Sequence, residues 1–190
     1  MEFTKTVQEL QNLGSQVVRR GKRILKQKKK TTKPNTLYKG FDYLVTTSKD
    51  NIQLEFVFGG ADDYWAFVDQ GVKGAGGYKG SGKMRGGKTG FRFGSGNYSG
   101  KWQSFKSKIK KWIANKPLKL RGADGKFMEK TESDINSVAY LIQRAIYQRG
   151  LTRTMFFSKP YEDILDRNWD KVLQAYSEDV DAELSKNIKD

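Results

Sequence analysis

Gly82-Lys83-Met84-Arg85-Gly86-Gly87-Lys88-Thr89 fits the phosphate-loop pattern G-x-x-x-x-G-K-[ST]. That pattern works when a buried strand precedes it and a helix N-terminus follows, so that backbone amides and the lysine cradle phosphate. Neither context is present here. Lys79-Gly80-Ser81 leads in, Gly90-Phe91-Arg92-Phe93-Gly94 leads out, and no apolar run ending in Asp follows to hold magnesium. In a stretch this rich in glycine and lysine, the match reads as composition. Glu55, Asp62, Asp63 and Asp69 are the acids nearest one another before that stretch. Two or three of them could ligate a hard cation, but they read as partners for lysines or as strand and turn residues. Cysteine and histidine are both absent. Disulfides, Cys-ligated zinc, thiol nucleophiles and the commonest neutral-pH general base are therefore excluded. No catalytic, cofactor-binding or metal-ligating set is read from the residues, and a non-enzymatic protein is expected.

What remains is binding chemistry. The 190 residues carry a formal net charge of +15, which implies acidic or polyanionic partners. Arg19, Arg20, Lys22, Arg23, Lys28, Lys29 and Lys30 stand in a run that no acid interrupts, a candidate polyanion contact. From Gly71 to Ala123 there is no Asp or Glu, and residues 71–120 hold thirteen Lys or Arg. Residues 71–100 also hold twelve of the twenty glycines. Self-repulsion and backbone entropy oppose a private core in such a segment. Tyr78, Met84, Phe91, Phe93, Tyr98 and Trp102 are spread through and just beyond it. It reads as an arm that orders on a partner. Basic and aromatic residues so interleaved could stack on bases or pack into a neighbouring protein. Residues 158–190 have nine acids against five bases. An acidic tail and basic remainder suggest head-to-tail assembly, with Asp163, Asp166 and Asp170 of one subunit near a basic surface of the next.

The elements that must position these groups are readable from periodicity. Residues 4–27 read as a helix, with Leu10, Leu13, Val17 and Ile24 on one stripe and Gly14 and Gly21 beside it. Residues 36–47 and 51–59 read as a hairpin turning at Ser48-Lys49-Asp50-Asn51. A helix through Trp102, Phe105, Ile109, Trp112 and Ile113 follows the arm. Residues 133–149 form the strongest helix, with Ser133 as N-cap, Gly150 as C-cap and Ile142 central on its apolar face. Residues 151–157 are extended, and Pro160 opens a last helix carrying Ile164, Leu165, Trp169, Val172, Leu173 and Tyr176. The expected class is α+β, a small antiparallel sheet packed against long helices with an extended glycine-rich arm. Residues 1–70 and 101–190 form one domain in this reading, and 71–100 is the arm. No apolar run approaches the length that crosses a membrane.

Two elements stand out in this order: Tyr64-Trp65-Ala66-Phe67-Val68-Asp69-Gln70-Gly71, and Gly150 followed by Thr154-Met155-Phe156-Phe157. An aromatic Y-x-x-F-V-[ED]-x-G element before a loop, and a G-x-x-x-T-x-F-F element before the last helix, resemble the tailed-phage neck and tail-completion proteins. This is the head–tail joining family, also described as minor tail or virion structural proteins. The resemblance covers most of residues 4–176. It implies a ring subunit of six or twelve copies, made in the bacterial host cytoplasm and placed in the virion between portal or adaptor and tail. Tyr64, Trp65, Phe67, Tyr78, Phe91 and Phe93 are the interface anchors expected in such a ring. The alternative from the charge is a nonspecific nucleic-acid-binding accessory protein.

Overall fold

The computed structural model describes residues 3–28, 36–48, 51–76, 85–94, 102–115, 120–121, 125–128 and 131–187. It is α+β, with a small antiparallel sheet against long helices. The chain divides into two compact units, one of residues 1–69 with 154–190, the other of residues 70–153. These boundaries differ from those expected of a single domain with a protruding arm.

In the first unit, helix α1 (Thr4–Gln27) spans the residues its apolar spacing predicts. Leu13, Val17, Val18 and Leu25 are buried along it, with Leu10 and Ile24 packed at the margin. Strands β1 (Phe41–Thr47) and β2 (Ile52–Phe58) pair antiparallel, Phe41 facing Phe58 and Thr47 facing Ile52. Gly14 and Gly21 let α1 settle onto this sheet. A Cβ at Gly21 would lie 2.5 Å from the Phe41 ring and 2.6 Å from the Phe156 carbonyl oxygen. Residues expected to begin the first strand instead make a helical turn, α2 (Thr36–Gly40). It buries Leu37 and brings Gly40 against Gly59, whose N–H donates to the Gly40 carbonyl at 3.0 Å. The last helix, α6 (Ser158–Asn187), packs along α1. An aromatic cluster fills the space between sheet and helices. Phe58 stacks on Trp65 at 4.2 Å and on Phe41 at 5.2 Å, while Phe156 and Phe157 meet these rings edge-on and Tyr161 meets Phe56 edge-on.

In the second unit, α4 (Trp102–Asn115) packs on α5 (Glu132–Arg149). Ile109, Ile113 and Ala139 are buried, with Phe105, Ile135, Val138, Ile142 and Ile146 around them. Thr131, not Ser133, caps α5: its hydroxyl accepts from Asp134 N–H at 3.2 Å and the Asp134 carboxylate accepts from Thr131 N–H at 3.3 Å. This reciprocal pair satisfies two donors at the helix start. Strand β3 (Val72–Lys73) pairs with β6 (Gly150–Leu151), and β4 (Leu120–Arg121) with β5 (Phe127–Met128).

The described part of the glycine-rich segment is tied into this unit by its backbone. Lys73 donates to Phe91, Phe93 to Lys73, Arg85 to Arg149 and Ala75 to Tyr147, all at 2.8–2.9 Å. Glycine permits the crossing that makes these bonds, so these described residues of the expected arm pack within the unit. A Cβ at Gly74 would fall 2.0 Å from the Gln148 carbonyl oxygen.

Candidate assembly and polyanion surfaces

Two buried carboxylates organise the first unit. Helix α3 (Trp65–Gln70) carries Asp69, which is 1% exposed. Its Oδ1 accepts from Phe157 N–H at 2.8 Å and Ser158 N–H at 3.3 Å, so it caps the start of α6. The Asp69 carbonyl accepts from Thr154 and Met155 N–H, and the Val68 carbonyl accepts from the Thr154 hydroxyl at 2.7 Å. The two motifs that carry the family resemblance are thus bonded to each other. Met155 takes a positive φ of 52° at this junction.

Asp179 does the same for α1 from the far end of α6. Its carboxylate accepts from Thr6 N–H at 2.8 Å, the Thr6 hydroxyl at 2.7 Å and Lys5 N–H at 3.2 Å. Burial pushes this carboxyl upward, but the Thr6 and Lys5 donors outweigh it and hold its pKa below the ordinary 3.8. Beside it, Lys5 Nζ pairs with Glu178 at 2.6 Å and Phe3 stacks on Tyr176. At the other end of the helix pair, Arg20 meets Asp163 at 2.7 Å.

These contacts revise the expected sites. Arg20 and Asp163, expected on different subunits, are partners within one chain, because packing α6 along α1 brings them together. Trp65, expected as an interface anchor, turns inward onto Phe58. Tyr64 and Phe67 are exposed, and the Tyr64 hydroxyl bonds the Thr36 hydroxyl. Phe91 and Phe93 are half-buried, the latter 5.9 Å from the Tyr147 ring. Asp166, Asp170, Arg19, Arg23 and Lys28 are exposed, and Lys22 is half-buried. Tyr78, Lys29, Lys30 and residues 82–84 of the phosphate-loop match lie outside the described residues. After Thr89, where such a loop would open a helix, the chain runs extended through Phe91–Phe93 alongside Lys73. Glu55, Asp62 and Asp63 are exposed, apart from buried Asp69.

Periodicity misses one surface. Ile164, Val172, Ala175 and Asp179 are the buried face of α6. Trp169, Leu173, Tyr176 and Leu184 are each about half exposed and form a second stripe. At 3.6 residues per turn the two stripes lie about 120° apart. Asp166, Asp170 and Asp181 flank the outer one. A signal for it exists in the sequence: α6 has more apolar positions than one buried face can use.

Charge is also partitioned unexpectedly. Residues 70–153 hold nineteen of the 36 Lys and Arg but only four of the 21 Asp and Glu. The second unit therefore carries the whole +15, and the first unit is neutral.

Comparison with protein-family models, with curated proteins and with solved structures finds no match.

Proposed function

We propose that this protein is a non-enzymatic virion component, a ring subunit of the neck or tail-completion complex that joins head to tail in a tailed phage. The observation that carries the reading is the outer stripe of α6. Four large apolar side chains, Trp169, Leu173, Tyr176 and Leu184, stand half exposed beside Asp166, Asp170 and Asp181. The same unit presents a different, cationic patch on α1 through Arg19, Arg23 and Lys26. Two unlike patches on one chain are what a heterologous, ring-closing interface requires. The apolar stripe supplies most of the affinity, since exposed ion pairs contribute only about 0–1 kcal/mol each. The opposed charges favour this pairing over like with like. The resemblance supports the same assignment, because its two motif elements are joined through Asp69 and Thr154. Six or twelve copies, with portal, adaptor or tail proteins above and below, complete the proposal.

Sedimentation at moderate salt tests it. The wild-type chain should assemble, and Leu173→Asp should not, while still melting cooperatively. Asp166→Lys with Asp170→Lys should assemble poorly alone and recover partly when mixed with Arg19→Glu/Arg23→Glu. Unimpaired assembly of both α6 variants would mean that the stripe is a solvated face.

A further inference from the structure

We infer that the second unit binds the phosphate backbone of duplex nucleic acid without regard to sequence, through a cationic cleft between α4 and α5. Ring assembly is not required for this binding. Lys106, Ser107, Lys110, Lys111 and Asn136 line an open cleft of about 380 Å³. Among the described residues no carboxylate lines it. Glu132, its side chain 87% exposed, lies 3.9 Å from Lys110. Asp134, the other described acid of this unit, is engaged in the α5 cap.

Three lysines, a serine and an asparagine lining one cleft supply the donors that the acceptor oxygens of phosphate take. Lys106 and Lys110 are four apart on one helix, so their Cβ atoms are roughly 5–6 Å from each other and face the same way. One lysine-rich helix face can thus follow successive phosphates along a strand. Lys108 is exposed on α4 and Arg144 on α5, so the positive potential extends past the cleft. With the net charge confined to this unit, long-range attraction steers a polyanion toward it. A membrane surface fits less well. The apolar face of α4, at Phe105, Ile109 and Ile113, packs against α5, and among its described side chains only Trp112 is left exposed as a large apolar group, too narrow a stripe for a helix lying in a membrane surface.

The test is anisotropy titration of a fluorescent mixed-sequence DNA duplex with the full chain across a salt series. Wild type should bind two unrelated duplexes equally, with log K falling linearly in log salt. Lys106→Gln/Lys110→Gln/Lys111→Gln should bind on the order of a hundredfold more weakly at about 0.15 M salt. Its slope should be shallower by about 2–3, at roughly 0.9 for each phosphate no longer neutralised. Lys39→Gln/Lys159→Gln, at exposed positions of the first unit, should bind as wild type. If the triple variant does not melt cooperatively, Lys108→Gln/Lys111→Gln, at exposed positions only, should still reduce the slope by about 1–2. The inference is overturned if wild type fails to bind duplex at about 50 mM salt, or if the slope is unchanged in a folded cleft variant. It is also overturned if polyglutamate or phosphatidylserine vesicles displace the duplex at equal charge, since the partner would then be an acidic protein or a membrane.

Discussion

Asp69 and Asp179 show how single side chains set the frame of the first unit. Each is a buried carboxylate that accepts backbone N–H groups at the start of a helix other than its own. Those donors have no intrahelical acceptor, so removing the carboxylate leaves them buried and unsatisfied. Asp69→Ala should cost about 2–3 kcal/mol, combining a lost cap with unpaired buried donors. By thermal denaturation this is a drop of roughly 10 °C or more for a unit of this size. Asp69→Asn keeps an acceptor oxygen and should lose less than half as much. A near-wild-type Asp69→Ala melt would mean that the junction at Thr154–Ser158 is held by other contacts.

Asp179 adds a pH dependence. Its folded pKa lies below the ordinary 3.8, so the unfolded chain takes up the proton first as pH falls. The stabilisation is complete above about pH 5 and is lost as pH drops from about 4 through the folded value. Denaturant titrations should show wild type exceeding Asp179→Asn by a constant margin from about pH 6 to 8, and by a shrinking margin below about pH 4. A margin independent of pH down to about 2.5 would contradict the assignment. Neither carboxylate role is legible in the sequence. Both depend on contacts between opposite ends of the chain or across its middle, from Asp69 to Phe157 and from Thr6 to Asp179. Local spacing carries no trace of them.

At the scale of elements, the helices are legible in the sequence and their solvent faces are not. The limits of α1 follow from its apolar spacing, and α5 starts at a capping box on Thr131, ahead of the Ser133 that local preference suggests. Residues 36–40 look like strand from Leu37 and Tyr38, yet they turn helically because the chain must pass Gly40 closely against Gly59. Tertiary contact overrides local preference there. Periodicity finds the apolar positions of α6 but does not say which of its two stripes meets a neighbour. Gly21 separates propensity from packing. Alanine in a helix interior is favoured over glycine by about 1 kcal/mol, but here a Cβ would press on a ring and a backbone oxygen at about 2.5 Å. Overpacking of that kind costs about 1–3 kcal/mol, and backbone yields less readily than a side chain. Gly21→Ala should therefore be net destabilising by about 1–2 kcal/mol in chemical denaturation. A stabilised variant would show that α1 does not seat on β1 and Phe156 as described.

At the scale of the whole chain, the charge split and the unit boundary coincide. Composition alone gives the +15, and the basic run on α1 is the most visible place to put its contacts. Only the division at Asp69 and Thr154 shows that the acids of α6 and the bases of α1 belong to one neutral unit. A neutral unit with an apolar stripe is suited to contact its own copies closely, because little net repulsion opposes association. The basic unit remains available for a polyanion. In the proposed assembly, copies of this chain close into a ring through α6. Electron-microscopy class averages of the purified protein at low ionic strength address it most directly. Closed rings of uniform copy number, six or twelve, are expected, and they should disappear in Leu173→Asp. Monomers alone at every concentration, or rings unchanged in that variant, would contradict it.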